Sequence, residues 1–200
     1  MSSLDGCLYV YNTNKFVAKA KCRGHSGRVT HVDFSANNKF LMSNCSADEL
    51  LFWVCMCVCL YVPLSALLPT DGDHNSLSQD ADSGELQPPK LMKGVQWDSN
   101  SCVNSFATQG ILDPLQDGTV CNMACRSNAQ DLLVVVDNYG RVRVTDYPCL
   151  DGERGAAYLT YGGHAKDVKN VKMACDDSRF FTVGGSDGAI LQWRLSVLVG

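Results

Sequence analysis

Two histidines, each followed by a tryptophan at nearly the same distance, carry the groups for acid–base chemistry or for a buried hydrogen-bond chain. Trp53 lies 28 residues after His25, and Trp193 lies 29 residues after His164. An imidazole acts as a general base only beside a group that it can deprotonate. Neither a Ser-His-Asp order, nor paired carboxylates, nor a phosphate-binding glycine loop accompanies these histidines. The pattern therefore favours a structural role and predicts no catalytic residues.

The cysteines and the glycine-rich segment near the C-terminal repeat are the candidate metal and cofactor ligands. The sequence has eleven cysteines, and three of them alternate in CMCVC at 55–59. Alternate sulfurs on a strand share one face, but no partner pair or histidine follows at zinc spacing. Gly184 to Gly188 is predicted as a turn rather than a nucleotide loop. We therefore expect no metal site and no cofactor.

Composition narrows the function further. Apolar residues make up 46% of the 200 residues, charged residues 19%, and the formal net charge is −4. Such a chain can bury a core, and it has no electrostatic attraction to nucleic acid or to an anionic membrane. The odd number of cysteines and the lack of a secretory signal at Met1 predict a reducing compartment, the cytoplasm.

Short strands connect the residues of each repeat. Alternating apolar and polar residues bounded by turn residues predict three antiparallel strands in each copy, at 29–34, 40–44 and 49–53 and again at 168–173, 180–185 and 189–193. Residues 132–144 predict a hairpin with a tight turn. In its second strand Arg141 and Arg143 alternate with valines, which predicts a solvated face.

The middle of the chain departs from this repetition. Residues 50–68 carry no charge over nineteen positions, which meets the length of a membrane-spanning helix, but Pro63 and Ser65 interrupt the run and its start belongs to a predicted strand. Residues 69–90 are polar, acidic and rich in Pro, Gly and Ser, and we expect a flexible linker there.

The Gly-His…Asp…Trp frame resembles the WD40 repeat, whose unit is a four-stranded propeller blade. The resemblance implies that a histidine, a hydroxyl, an aspartate and an indole form one buried hydrogen-bond network. By position, the network of the last repeat is His164, Thr182, Asp187 and Trp193. The first repeat offers His25, Ser43 and Trp53. Ala47 occupies its aspartate position, so the sequence does not decide whether this repeat forms the network.

The resemblance narrows to one family. Segments such as SGRVTHVDFSANNKFLMSN at 26–44, DNYG at 137–140, YPC at 147–149 and GGHAKDVKNV at 162–171 are similar to the C-terminal propeller of the echinoderm microtubule-associated protein-like (EML) proteins. This implies an all-β, incomplete WD40 propeller of about three four-stranded blades plus a partial one. We expect a partial blade and the first WD repeat at 1–53, an apolar run and acidic insertion at 54–93, and two further blades at 94–200.

The resemblance also implies a function. We expect a non-enzymatic interaction module that binds tubulin, microtubules or other cytoskeletal proteins at the cytoskeleton. The family's coiled coil is missing, so weaker microtubule binding than that of a full-length member is expected. Two alternatives stay open: a general WD40 scaffold that does not bind tubulin, and a protein tethered to a membrane through 50–68. About three blades cannot close a ring, so the remainder of a propeller or another chain must cover the open edges.

Overall fold

Stretches of five to seven residues form the twelve β-strands of the described chain. The computed structural model describes residues 4–15, 17–54, 84–111, 118–150 and 157–196. The strands are β1 (Cys7–Asn12), β2 (Val17–Arg23), β3 (Val29–Phe34), β4 (Phe40–Cys45), β5 (Leu50–Val54), β6 (Cys121–Arg126), β7 (Leu132–Asp137), β8 (Arg141–Asp146), β9 (Tyr158–Gly162), β10 (Val168–Met173), β11 (Arg179–Gly184) and β12 (Ile190–Arg194). A short helix α1 (Pro89–Met92) and a 3-10 turn (Gln109–Ile111) lie between β5 and β6.

These strands form four antiparallel sheets that follow the order of the chain. The first sheet is β1-β2, the second β3-β4-β5, the third β6-β7-β8-β9 and the fourth β10-β11-β12. The predicted hairpin is confirmed as β7 and β8, joined by a turn at 138–140. The chain is thus an all-β, incomplete WD40 propeller with one four-stranded blade and three shorter sheets among its described residues.

Apolar side chains fill the spaces between successive sheets. Leu8 and Cys22 of the first sheet pack on Val29, Leu41 and Trp53 of the second. Between the third and fourth sheets, a cluster with exposures of 2% or less comprises Val134, Val136, Val142, Val168, Val171 and Phe180. Burial of a side chain of this size stabilises the fold by about 1.5–3 kcal/mol. Face-to-face packing of neighbouring sheets is therefore the main source of stability.

A short segment of the predicted insertion pairs with the edge of the second sheet through an isolated bridge. The Val54 amide donates to the Glu85 carbonyl at 3.0 Å, and the Gln87 amide donates to the Phe52 carbonyl at 2.8 Å. Trp53 and Leu86 form the antiparallel bridge between these bonds. Residues 85–87 thus cover the outer edge of β5, although the sequence of this region has no strand pattern.

A connecting segment, residues 92–111, packs between the second and third sheets. Its first half, with Met92, Trp97 and Cys102, contacts Met42 and Phe52. Its second half places Val103 and Ile111 in a cluster with Ala124, Leu133 and Val135 of the third sheet and with Cys149, which follows β8. This segment therefore fills the gap that two directly adjacent blades would close by themselves.

The buried carboxylate of Asp33 attaches this connecting segment to β3. Asp33 Oδ1 accepts hydrogen bonds from the hydroxyls of Ser99 and Ser101 at 2.6 and 2.8 Å, and Oδ2 accepts the amide of Cys102 at 2.7 Å. Asp33 is fully buried. None of these contacts comes from a cationic side chain. Hydrogen bonds to a carboxylate are stronger than bonds between neutral groups, so they can replace the water that burial removes from Asp33.

Glycines at two equivalent turns allow consecutive sheets to approach. Gly6 and Gly140 have φ of 72° and 81°, in the left-handed region. A Cβ on Gly6 would lie 2.8 Å from the carbonyl oxygen of His25, and one on Gly140 would lie 2.6 Å from that of His164. Each glycine thus packs on the Gly-His loop of the next sheet, and a side chain there would push the two sheets apart.

The apolar run at 50–68 falls largely outside the described residues. Its first five residues form β5, as the repeat pattern predicts, and residues 55–68 are not among those described. Within the described ranges, no helix has the length and apolar character needed to cross a bilayer.

Candidate functional site

The fourth sheet brings the four predicted network residues of the last repeat together. His164 Nδ1 lies 3.0 Å from Asp187 Oδ2, and His164 Nε2 lies 2.8 Å from Thr182 Oγ1. The indole N–H of Trp193 donates to the same Thr182 oxygen at 2.8 Å. His164 is in the loop before β10, Thr182 is on β11, Asp187 is in the turn before β12, and Trp193 is on β12. The hydrogen bonds therefore cross the sheet.

Donor and acceptor rules fix the direction of this chain of hydrogen bonds. An ionised carboxylate only accepts, so Nδ1 of His164 carries a proton and donates to Asp187. Trp193 only donates, so one lone pair of the Thr182 oxygen is used by the indole. The Thr182 hydroxyl can then donate to Nε2, so that both ring nitrogens of His164 have a hydrogen-bond partner. We propose that this network serves to stabilise the blade.

The first repeat makes the same network with a different carboxylate. His25 Nε2 lies 2.7 Å from Ser43 Oγ, and Trp53 donates to that oxygen at 2.8 Å. Glu49 Oε2 lies 3.2 Å from His25 Nδ1 and takes the place that Ala47 cannot fill. The sequence signal for Glu49 was an acidic residue within two positions of Ala47, and only the turn geometry shows which acidic residue reaches the histidine.

The turn shows why Glu49, and not Asp48, is the partner. Asp48 has φ of 57° and takes the left-handed position that Gly188, with φ of 61°, takes in the last repeat. Glu49 follows immediately before β5. The longer glutamate side chain makes up for the later position. The amide after each histidine, Ser26 or Ala165, donates to the respective carboxylate at 2.9 or 3.1 Å.

These hydrogen bonds keep both carboxylates ionised. The hydroxyl and amide of Ser26 and the thiol of Cys45 lower the pKa of Glu49 from 4.5 to about 2. The amides of Ala189 and Ala165 lower the pKa of Asp187. Hydrogen bonds to the charged form of an acid stabilise that form, which is the cause of both shifts.

The histidines cannot reach a substrate from these positions. The side chains of His25 and His164 have no exposed surface. Both ring nitrogens of each are used by the neighbours just described. Burial also makes two of the described thiols less reactive, because it raises the pKa of Cys102 well above its usual value and that of Cys121 to about 11.

The prediction that Arg141 and Arg143 lie on a solvated strand face is wrong for Arg143. Arg143 is only 4% exposed, and its Nη2 lies 3.4 Å from Asp137 Oδ2. Arg141 Nε donates to the same oxygen at 2.7 Å. Asp137 closes the β7–β8 turn with Oδ1, which accepts the amides of Tyr139 and Arg141. Alternation of side chains predicted the strand, but within the third sheet Asp137 on β7 and the ring of Tyr158 on β9, whose centroid is 5.0 Å from the guanidinium carbon, cover Arg143.

Three β-bulges aim side chains into one cleft. Each of β3, β6 and β10 has an extra residue near its start, between Val29 and His31, Cys121 and Met123, and Val168 and Asn170. The extra residues, Thr30, Asn122 and Lys169, all line one cleft of about 860 Å³. Bulges redirect side chains and are common beside functional sites. No sequence pattern predicted these bulges.

The rim of this cleft is polar and carries basic groups. Arg28, His31 and Lys169 line it together with the amides of Asn44 and Asn104 and the carboxylate of Asp48. Lys169 pairs with Asp167 at 2.7 Å, which lowers the pKa of Asp167. Burial lowers the pKa of His31. The cleft thus offers hydrogen-bonding groups from three sheets, suited to a partner surface or a peptide.

Comparisons with known proteins define the class as a WD-repeat β-propeller. The profile of the WD domain, G-beta repeat, matches residues 16–52. The solved β-propeller domain of Myceliophteria thermophila Cps50 (Swd1) superposes on 100% of this chain and 62% of its own with a TM-score of 0.56, at 11% sequence identity. At that identity the likeness shows the fold alone. WD40 propellers are non-enzymatic interaction folds.

The family follows from a second profile. The echinoderm microtubule-associated protein second beta-propeller matches residues 65–195, and the chain belongs to that family. Human echinoderm microtubule-associated protein-like 1 is 31% identical over 98% of this chain, and the rat echinoderm microtubule-associated protein-like 2 is 30% identical over 98%. The chain spans 21% and 27% of those two relatives. The match from residue 65 also includes part of the segment expected to be an insertion.

Proposed function

We propose that this chain is a non-enzymatic WD-repeat interaction module of a microtubule-associated protein, which binds tubulin, microtubules or other cytoskeletal proteins in the cytoplasm. Membership of the family supports the cytoskeletal assignment, since the similar relatives carry that name. The fold supports the interaction role because the imidazoles of His25 and His164, which could do acid–base chemistry, are enclosed in hydrogen-bond networks. Function on such a scaffold belongs to loops and rims.

The cleft lined by the three bulge residues is the observation that carries this proposal. Thr30, Asn122 and Lys169 come from three different sheets and face one space. Asn122 also donates to the Val168 carbonyl at 2.7 Å, which ties β6 to β10 beneath the cleft. A rigid floor with polar groups around it binds a partner at a low cost in ordering entropy.

The cleft carries basic side chains, although the chain as a whole has a negative net charge. The net charge of −4 opposes docking on an acidic partner. Arg28 supplies local positive charge on the cleft rim, where distances to a bound partner are short, and Lys169 adds to it while paired with Asp167. Because salt screens charges that are farther apart than about 10 Å at 0.1 M, the local groups outweigh the net charge at contact.

Co-sedimentation of the full chain with assembled microtubules tests this proposal. We expect the wild-type chain to pellet with microtubules and the Arg28→Glu/Lys169→Glu variant to bind several-fold more weakly. Lys39→Glu/Lys90→Glu is the matched control, because it makes the same change in charge with residues that do not line the cleft. Equal binding of the two double variants would rule out the cleft as the site.

A pull-down from cell lysate separates the alternatives. Capture of tubulin supports the proposed function. Capture of other proteins without tubulin, together with no microtubule pelleting, would favour a general WD40 scaffold. Retention in the membrane pellet after alkaline extraction would favour a tether through 50–68.

A further inference from the structure

Three groups that commonly bind metals meet at the edge of the first-repeat network. The ligand atoms of His25, Cys45 and Glu49 all lie within 4.8 Å of one another. Glu49 Oε2 lies 3.2 Å from His25 Nδ1 and 3.1 Å from Cys45 Sγ. Imidazole, thiolate and carboxylate together are a ligand set that Zn²⁺ accepts. We propose that His25, Cys45 and Glu49 bind a Zn²⁺ ion, although the sequence alone predicted no metal site.

The distances suit a tetrahedral ion. Zinc bonds of about 2.0–2.3 Å to nitrogen, oxygen and sulfur place neighbouring ligand atoms roughly 3.2–3.8 Å apart. The two separations at Glu49 are already close to this range. The ion would replace the hydrogen bonds that Glu49 now accepts from His25 and Cys45, and the side chains would shift only slightly.

Protonation of the three groups balances on binding. Cys45 loses its thiol proton to solvent and becomes a thiolate. On His25 the ring proton moves from Nδ1 to Nε2, so that Nδ1 can bind the metal. Thiolate and carboxylate then neutralise the two charges of Zn²⁺, which reduces the cost of a largely buried ion.

The blade network tolerates this change of tautomer. With a proton on Nε2, His25 donates to Ser43, whose oxygen also accepts from Trp53. The Ser43 hydroxyl then donates to the Leu51 carbonyl, which lies 3.5 Å away. Ser43 therefore orients the histidine from its other nitrogen, as outer partners of metal ligands do.

Ser26 holds the carboxylate in both states. Its hydroxyl donates to Glu49 Oε1 at 2.7 Å, and its amide donates to Oε2 at 2.9 Å. The side chain of Glu49 is 33% exposed, so solvent reaches the site from that side. A water molecule can supply the fourth ligand, as in zinc sites with three protein ligands.

The network of the last repeat has no thiol at the position of Cys45. Gly184 takes the place of Cys45, and a Cβ added there would collide with the carboxylate of Asp187. In the first repeat the carboxylate comes from Glu49, farther along the turn, and this leaves room for the Cys45 side chain. The replacement of glycine by cysteine and the later carboxylate together create the third ligand.

Titration of the metal-free full chain with Co²⁺, followed by Zn²⁺ competition, tests the site. We compare the wild type, Cys45→Ala, and a control with Cys55, Cys57 and Cys59 changed to Ser, which lie outside the described residues. Cys45→Ala leaves His25, Ser43 and Trp53 in place, and an unchanged near-UV circular dichroism spectrum verifies the fold. We expect one thiolate-to-cobalt charge-transfer band in the wild type and the control.

The expected change is a loss of that band in Cys45→Ala and a fall in Zn²⁺ affinity of more than about 100-fold, beyond the 10- to 100-fold loss typical of an outer partner. Calorimetry in buffers of different ionisation enthalpy should show release of about one proton per ion. An unchanged band in Cys45→Ala, its absence from the wild type, or its loss in the control would overturn the proposal. None of these outcomes depends on microtubule binding.

Discussion

At the scale of single residues, one hydroxyl holds each hydrogen-bond network together. Ser43 and Thr182 are fully buried, and each bonds a histidine and a tryptophan. A buried polar group that loses its partner costs about 1–3 kcal/mol, more than a formed hydrogen bond contributes. The hydroxyl is therefore the sensitive position of the network, although it is the smallest member.

Replacement of this hydroxyl should lower the free energy of unfolding. Ser43→Ala leaves the Trp53 N–H and one nitrogen of His25 unpaired, so we expect a loss of about 1–3 kcal/mol for each group. Ser43→Thr keeps the hydroxyl, as at Thr182, and should change stability by less than about 1 kcal/mol. Urea unfolding followed by tryptophan fluorescence measures both. Equal effects of the two variants would refute this role of the hydroxyl.

The lowered pKa of Glu49 should appear in the pH dependence of stability. A carboxyl whose pKa is about 2 in the fold and 4.5 otherwise stabilises the fold fully above about pH 5. That contribution is lost progressively as the pH falls toward about 2. We expect metal-free Glu49→Gln to lose less stability than the wild type over this range. Identical slopes in urea unfolding from pH 5 to pH 2.5 would contradict the prediction.

At the scale of elements, two buried carboxylates hold a connecting segment and a turn in place. Asp33 on β3 bonds residues 99–102, and Asp137 bonds both Arg141 and Arg143 around the β7–β8 turn. A buried charge persists only where hydrogen bonds or opposite charges replace water. These two aspartates therefore fix the position of loops that have no regular secondary structure.

Loss of the Asp33 carboxylate should release the connecting segment. In Asp33→Ala the Cys102 amide loses its acceptor, so we expect faster hydrogen exchange at Ser101 and Cys102 and a loss of about 3–5 kcal/mol in stability. Asp33→Asn keeps one acceptor oxygen and should show a smaller change. Exchange measured residue by residue by NMR tests this. Unchanged protection in Asp33→Ala would show that apolar packing alone holds the segment.

At the scale of the whole molecule, the face of the fourth sheet directed away from the third carries exposed apolar side chains. Phe181, Val183 and Ile190 have exposures of 38%, 37% and 70%, whereas Phe180 packs inward against Trp193. A contiguous apolar patch of this kind favours association. The last of the four sheets thus exposes an apolar surface to which another molecule can bind.

This surface predicts concentration-dependent association of the 200-residue chain. Sedimentation velocity should show larger species at higher concentration for the wild type and a shift to monomer for Phe181→Lys/Ile190→Lys. Lys39→Glu, an exposed residue of the β3–β4 turn, is the control for a surface change elsewhere. The same sedimentation behaviour for wild type and double variant would contradict the prediction.

The sequence by itself determined the three strands of each WD repeat and the β7–β8 hairpin, because alternation, turn residues and the histidine-to-tryptophan spacing are local patterns. It also predicted His164, Thr182, Asp187 and Trp193 as one network, and the structure places them within hydrogen-bond distance. Only the tertiary structure decided that Glu49 replaces the missing aspartate, that Arg143 is buried, and that three bulges face one cleft. These features depend on which neighbouring sheet covers a side chain and on where a turn directs it, and local sequence does not encode either.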